Sequence, residues 1–367
     1  MSVNKKRLVY FEFWLDPIAE QILRAREDIE LVRLALSADD SENWSEMSRA
    51  VGYQVLPRTE LRSPWFGDSG LIERSPNLLA MSSTGAGYDV IDVEACTRAG
   101  IIVCNQSGTN SEAVAEHAVG LMLSLAKKIA LLSRIIAREP DVDRFAFVGG
   151  ELQGKTVGII GLGNIGSRVA EICRVAFRTE VLAYDPYLTD EQIQGRGARK
   201  VSLHELLDQS DFVSVHCPRS EETLGMIGAA QLERMRPSAY FINTARGGIH
   251  RESDLIEALQ TGRIAGAGID VFDTEPPAPQ HPLLNMDNVI ATPHCAGVTA
   301  ESMRNSAAAA AQQWLTLLDG GVPPRLVNPE AWPRYRERFA DIIGFTPPQL
   351  GDGDHLASRD GPRHANS

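Results

Sequence analysis

The sequence predicts an α/β protein with a parallel sheet covered by helices on both faces. Three observations carry that expectation. Short apolar runs alternate with helical patterns over most of the chain. A glycine triplet separates one such run from the helix that follows it. At ~150 residues per domain, the 367-residue length fits two or three domains.

Taken in order, residues 7–10 and 29–34 read as strands. Between them Asp16 and Pro17 read as an N-cap and a proline at the first helical position, opening a helix over 17–27. A short apolar run covers 51–55. The turn-rich stretch 57–70, PRTELRSPWFGDSG, reads as a loop. Strands follow at 78–82 and 101–103, with a helix at 91–99. Residues 109–138 form one long helical pattern, with Thr109 and Glu112 spaced for a capping box. EPDVDRF and GGELQGKT then punctuate the chain. Strands are expected at 156–160, 181–184, 212–216, 239–243, 265–269 and 288–291, and helices at 168–177, 203–208, 228–234 and 252–260. An Ala-rich helix over 299–318 ends at Gly320 and Gly321. Residues 345–367 are expected to form a disordered tail, since the stretch from Gly351 is polar with almost no apolar content.

Composition narrows the function. Hydrophobic residues make up 43% and charged residues 23%, which excludes fibrous and wholly disordered classes. The 36 Lys and Arg against 48 Asp and Glu leave a formal charge of −12, with no long basic run for nucleic acid or an anionic membrane. Five scattered cysteines without a CxxC pair fit a reducing compartment. Glu12 and Asp16 interrupt the first apolar stretch, and no run is long enough to span a bilayer, so a cytoplasmic protein is expected.

The glycine triplet is the most specific local signal. The chain reads TVGII, then Gly161, Leu162, Gly163, Asn164, Ile165, Gly166 and the helical SRVAEICRVA. Gly161 permits a tight turn, Gly163 lets a pyrophosphate approach, and Gly166 permits close packing of helix on strand. The helix N-terminus offers unpaired N–H groups to a diphosphate. Asp185 ends the second strand, 24 residues after Gly161, where a carboxylate can accept from ribose hydroxyls. It would repel the extra phosphate of NADP, and Pro186 and Tyr187 follow it rather than Arg, so NAD is expected.

Several blocks together resemble the D-isomer-specific 2-hydroxyacid dehydrogenases, whose members include phosphoglycerate dehydrogenases and hydroxypyruvate reductases. They are Gly85–Ala86–Gly87–Tyr88–Asp89, NQSGTNSEAVAEH over 105–117, Gly161 to Gly166, Asp185–Pro186, His216–Cys217–Pro218, NTARGG over 243–248, GIDVF over 268–272, Glu275–Pro276, Pro293–His294, Gly297 and Thr299. The resemblance covers roughly residues 50–330. It implies two Rossmann-like α/β domains with parallel sheets, the nucleotide domain inserted into a discontinuous substrate domain. The substrate domain would take 1–115 and 298–335. The NAD-binding domain would take 116–297 and begin with a long linking and dimerisation helix. A homodimer and a closing interdomain cleft are also implied.

The resemblance places the catalytic trio on Arg246, Glu275 and His294. The chemistry fits these types. A guanidinium fork can bind a carboxylate and polarise a ketone. Imidazole can pass a proton to or from the oxygen while hydride moves at carbon. Glu275 would orient the ring and favour the imidazolium. Thr84, Gly85, Ala86 and Gly87 offer a nest of N–H groups to the substrate carboxylate. The resemblance lines the cofactor with Gly161, Gly163, Asn164, Ile165, Gly166, Asp185, His216, Cys217, Pro218, Thr223, Thr244, Ala245, Arg246, Asp270, His294 and Gly297. Asp270 takes the family position near the nicotinamide carboxamide. His117 and His216 read as structural, and His204, His250, His281, His355 and His364 as surface residues. No metal is expected: His216–Cys217 and His294–Cys295 are adjacent pairs, and no third ligand stands at motif spacing.

This sequence departs from the family in informative places. Ser83 stands where phosphoglycerate dehydrogenases carry Arg, which removes a partner for a phosphate unless Arg58 or Arg62 replaces it. Glu275 stands where formate dehydrogenases have Gln, which argues against formate oxidation. Ser107 replaces a common Pro, and Arg219 a common Leu at the edge of the adenine site. Cys295 puts a thiol beside the histidine and reads as a filler. Trp65 could wall a larger substrate, with Arg62 reading a distal acid, or pack its own domain. The leading expectation is an NAD-dependent oxidoreductase interconverting a 2-keto acid and a D-2-hydroxy acid. The alternatives are a 3-phosphoglycerate dehydrogenase and a non-catalytic, NAD-sensing protein of the corepressor type.

Overall fold

Alternation at period two builds the first sheet from residues that serve two different cores. In a computed structural model describing residues 5–351, the chain divides into two units. One runs to Asn110 and resumes at Thr299; the other is Ser111–Val298. The first contains β1 (Lys6–Phe11), α1 (Ile18–Arg24), β2 (Ile29–Leu34), α2 (Asp40–Met47), β3 (Gly52–Val55), α3 (Ser69–Arg74), β4 (Ala80–Ser83), α4 (Val93–Ala99) and β5 (Ile102–Cys104). Its five strands are all parallel in the order β2-β1-β3-β4-β5. Leu8 and Tyr10 enter one apolar layer, and Val9 and Phe11 the opposite one.

The second unit starts with α5 (Ser111–Ala126) and α6 (Ile129–Ile136). Then come β6 (Thr156–Ile160), α7 (Asn164–Phe177), β7 (Glu180–Tyr184), α8 (Asp190–Gly195), β8 (Arg199–Lys200), α9 (Leu203–Gln209) and β9 (Phe212–Val215). It closes with α10 (Ala229–Leu232), β10 (Tyr240–Asn243), α11 (Glu252–Gln260), β11 (Gly266–Ile269) and β12 (Val289–Ala291). The seven strands are parallel in the order β12-β11-β10-β9-β6-β7-β8. The order reverses between β6 and β9, which is where open parallel sheets bind ligands, outside the strand C-termini. The chain then returns to the first unit with α12 (Ala300–Leu318) and α13 (Trp332–Ile343).

Several expectations change. The single helix over 109–138 breaks at Lys128, which takes a left-handed φ of 56° between α5 and α6. The capping box at Thr109 does not form. The Thr109 hydroxyl instead donates to the Gln106 carbonyl at 2.8 Å and meets Ser306 Oγ at 2.7 Å, while Glu112 pairs with Arg168. α2, α3, α8 and α13 had no sequence counterpart. α2 is polar and buries only Asn43, Trp44 and Met47, so its periodicity is faint. Its N-cap, Asp39, accepts from Ser41 N. Pro17, not Asp16, is the N-cap of α1; Asp16 stands one residue before it and its Oδ1 accepts from Ile18 N at 2.8 Å. Residues 345–348 are packed rather than part of the tail expected from 345. Phe345 packs edge-on against Phe339, and the Pro347 and Pro348 carbonyls accept from Arg336 and Trp332. The remainder of that stretch, with His355 and His364, lies outside the described residues.

Candidate active site

The glycine turn follows β6 and needs its glycines for different reasons. Gly161 has φ +88°, and a Cβ there would lie 2.7 Å from the Cys217 backbone nitrogen. At Gly166 a Cβ would lie 2.1 Å from the Gly161 carbonyl oxygen, so helix and strand could not approach. At Gly163 it would meet no protein atom within 4 Å, which leaves that side of the turn open. Gly163 is the N-cap of α7 and supplies no side-chain cap, so the first amides, at exposed Asn164 and half-buried Ile165, stay available. Asp185 closes β7 and accepts from Leu162 N at 2.9 Å and Tyr187 N at 3.0 Å. Each oxygen keeps a lone pair. Arg196, which sequence reasoning missed, donates to the Leu162 carbonyl. An open glycine turn, an uncapped helix start and a carboxylate at the end of the second strand fit a dinucleotide.

Around the switch point, Ser214 Oγ holds His216 Nε2 at 2.8 Å, and burial pushes that histidine's pKa down to about 4. Thr223 fixes the next loop, accepting from Ser220 N and donating to the Pro218 carbonyl at 2.7 Å. Arg219 lies near the face of Gly248. Thr244 is buried, with no hydrogen-bond partner for its hydroxyl among the described residues.

The catalytic candidates sit in loops after β10, β11 and β12. Asn243, buried at the end of β10, holds the NTARGG turn: Oδ1 accepts from Ala245 N, and Nδ2 donates to the Arg246 carbonyl at 3.0 Å and to His250 Nδ1 at 2.9 Å. His250 is therefore fully buried, not a surface residue, and burial pushes its pKa down to about 4. The expectation failed because a lone histidine in a loop carries no local mark of burial. His281 is also not free at the surface, pairing with Glu252 at 3.2 Å beside the Phe272 ring. His204 is exposed.

Glu275 Oε2 is 2.7 Å from His294 Nδ1, and its Oε1 accepts from Phe272 N at 3.0 Å. Burial alone would raise the Glu275 carboxyl. The hydrogen bonds from His294 and the Phe272 amide, with the charges of His294 and Arg246, outweigh it and hold the group below its ordinary value. Arg246 donates to the Ala245 carbonyl at 2.7 Å. His294 has a left-handed φ of 51°, held by its own N–H to the Asp270 carbonyl at 2.8 Å. With Nδ1 taken, Nε2 is the nitrogen left for chemistry, on a side chain 40% exposed.

Asp270 is the clamp of this loop. Fully buried, it accepts from Thr292 Oγ1 at 2.6 Å and from the Cys295 and Ala296 amides at 2.9 Å. His117 meets Thr292 Oγ1 at 3.1 Å. Gly297 continues the loop half-buried.

In the first unit, the expected nest after β4 is only half available. Thr84 N donates to the Val55 carbonyl and Gly85 N to Ser83 Oγ, which leaves the Ala86 and Gly87 amides without partners among the described residues. The substrate-wall reading of Trp65 is overturned. Trp65 is fully buried against Trp44 and Phe11, ring centroids 4.6 and 5.0 Å away, because its loop packs into its own core. Arg62 donates to the Leu36 carbonyl at 2.6 Å, and Arg58 stacks over Phe66.

The fold and the turn define a dinucleotide-binding α/β protein of Rossmann type. Residues 119–296 match the family profile described as D-isomer specific 2-hydroxyacid dehydrogenase, NAD binding domain. The chain is 42% identical over 262 residues to a D-3-phosphoglycerate dehydrogenase of Archaeoglobus fulgidus, covering 71% of this chain and 49% of that protein. It is 38% identical over 268 residues to a glyoxylate reductase of Thermofilum pendens, covering 72% and 78%. A D-lactate dehydrogenase from Aquifex aeolicus, solved with NAD and lactic acid, superposes with a TM-score of 0.75 at 27% identity, covering 87% and 98%. The chain belongs to the D-isomer-specific 2-hydroxyacid dehydrogenase family. It spans about half the length of the phosphoglycerate dehydrogenases it matches, 49% and 58% of them. No helix among the described residues is long and apolar enough to cross a membrane.

Proposed function

We propose that this protein is an NAD-dependent dehydrogenase that interconverts a small, non-phosphorylated 2-keto acid and the D-2-hydroxy acid. The observation that carries the reading is the 2.7 Å Glu275–His294 pair, with Nε2 free, beside the charge of Arg246. When bound at the glycine turn, the nicotinamide cofactor supplies or accepts the hydride at the substrate's C2. His294 Nε2 gives the matching proton to the ketone oxygen, and takes it back in oxidation. Glu275 keeps the ring in one tautomer and supports its charge. Arg246 binds the carboxylate and polarises the carbonyl. In the first unit, the amides of Ala86 and Gly87, without partners among the described residues, are donors of the kind that bind a carboxylate.

Three contacts favour a small, unphosphorylated substrate. Ser83 Oγ is spent on the Gly87 carbonyl, while Arg62 and Arg58 are committed to Leu36 and Phe66. A buried Trp65 offers no wall for an aromatic acid. Oxidation of NADH at 340 nm over a panel of glyoxylate, hydroxypyruvate, pyruvate, phosphohydroxypyruvate, 2-oxoglutarate and phenylpyruvate tests this. Turnover of a small acid, lost in His294→Ala, is expected. Preference for phosphohydroxypyruvate would overturn the substrate size and charge, and NADH binding without turnover would favour the sensing role.

A homodimer is part of this reading. Ile129, Ile136, Phe145 and Val148 are each more than half exposed in the segment after α5, an apolar surface that a second copy would cover. Light scattering on the eluted protein should give twice the chain mass of 40.1 kDa.

A further inference from the structure

Three segments far apart in the chain bring an imidazole, a carboxylate and a thiol together in the second unit. His117 lies on α5, Asp270 directly follows β11, and Cys295 follows β12. One ligand atom from each lies within 4.8 Å of the other two, and His117 Nε2 is 3.9 Å from Asp270 Oδ1. Asp270 is fully buried, while His117 and Cys295 are half-buried, so the cluster has a closed floor and a solvent-reachable side. Nothing in the proposed reaction uses the thiol.

We propose that His117, Asp270 and Cys295 form a binding site for a soft divalent cation, with Zn2+ the preferred ion. The donor set decides the metal. One sulfur, one imidazole nitrogen and one carboxylate oxygen suit tetrahedral zinc, whereas magnesium and calcium take oxygen ligands. Two such ligands at ~2.1 Å from a tetrahedral ion stand ~3.4 Å apart, so His117 and Asp270 close by about half an ångström.

Without metal, the Thr292 hydroxyl bridges the pair. It donates to Asp270 Oδ1 at 2.6 Å, so its oxygen accepts from His117 Nε2 at 3.1 Å. Binding replaces that bridge. His117 shifts its proton to Nδ1, Cys295 releases its thiol proton to solvent, and the Thr292 hydroxyl or a water takes the fourth position. The ion then draws on the carboxylate that clamps the Cys295 and Ala296 amides, and it pulls on the residue next to His294. Zn2+ therefore inhibits turnover, a consequence that rests on the dehydrogenase reading; the binding itself does not.

The full chain, stripped with EDTA and dialysed, is titrated with Co2+. The expected result is one ion per chain, with a near-ultraviolet thiolate-to-cobalt band and strong visible absorption of a four-coordinate site. Cys295→Ala should abolish the thiolate band and weaken Zn2+ competition at least ~100-fold, and His117→Gln should weaken it at least ~10-fold. Absence of uptake, binding without a thiolate band, or the same band in Cys295→Ala would overturn the site. His117→Gln decides it independently if the cysteine variant folds poorly by circular dichroism. In parallel, saturating Zn2+ should suppress NADH-dependent reduction by at least ~10-fold, reversed by EDTA. Unchanged turnover with zinc bound would overturn the inhibitory half. A stripped protein inactive on every keto acid would count against the dehydrogenase reading, while the cobalt spectrum still decides the site.

Discussion

The C-terminal ends of the two parallel sheets are furnished with different chemistry. In the first unit the ends of β3 and β4 carry neutral polar groups: Gln54 on β3, Ser82 and Ser83 on β4, then Thr84, with Gln106 Nε2 donating to Ser82 Oγ and the Ser83 carbonyl at 3.2 Å. In the second unit they carry ionisable groups: Asp185, Arg246, Asp270, Glu275 and His294. The first set shapes a loop whose backbone amides are the useful feature. The second holds charges at fixed distances, which is what proton transfer requires. Substitutions in the second unit should therefore remove chemistry, whereas those in the first should leave it nearly intact.

The largest expected effect is at His294. Replacement by Ala should lower kcat by about 10²–10⁴-fold, the usual contribution of a positioned acid–base group, with NADH affinity by fluorescence titration nearly unchanged. A loss of cofactor affinity as large as the loss of rate would place His294 in binding instead.

Next comes the pH dependence of stability. His250 is held neutral, with its pKa pushed down to about 4 by burial, and His216 likewise. An unfolded histidine titrates near ~6.5. Between those values the unfolded chain binds protons that the folded chain refuses, so stability is complete above ~6.5 and falls as the pH drops toward 4. His250 alone contributes on the order of 3 kcal/mol to that fall. His250→Asn keeps an acceptor near Asn243 Nδ2 but cannot titrate. Urea unfolding at pH 7 and pH 5 should show a smaller difference in the variant, and equal differences would refute the assignment.

Two glycines then sharpen the contrast between the loops. Gly166→Ala forces a Cβ to 2.1 Å from the Gly161 carbonyl, and overpacking of that kind costs about 1–3 kcal/mol. Gly85→Ala meets nothing within 4 Å and should stay within about 0.5 kcal/mol of the parent. Thermal unfolding of both variants side by side checks this. The smallest effect is expected at Arg62, tied to the Leu36 carbonyl. Arg62→Ala should change kcat/KM by less than about 3-fold, since surface substitutions away from a site are usually worth under 0.5 kcal/mol. A larger loss would return Arg62 to the substrate.

Local spacing decided a good deal of this protein. The glycine triplet, the strand before it, the helix after it and Asp185 lie within 30 residues, so backbone geometry alone relates them. The alternation that announced a parallel sheet is equally local. The motifs around them singled out Arg246, Glu275 and His294 as candidates, while the 2.7 Å contact between Glu275 and His294 was visible only in the fold. Packing decided the rest. Nothing near Lys128 marked the break between α5 and α6, and nothing in PRTELRSPWFGDSG told a pocket wall from a core residue at Trp65. His250 looked like any loop histidine until Asn243 and Phe241 closed over it. His117 and Cys295 lie 178 positions apart, and with Asp270 they meet only because α5, β11 and the loop after β12 pack in one unit. Sequence spacing reports which side chains share a turn or a strand. Which distant segments share a space depends on how the helices and strands pack, and the folded structure alone displays that.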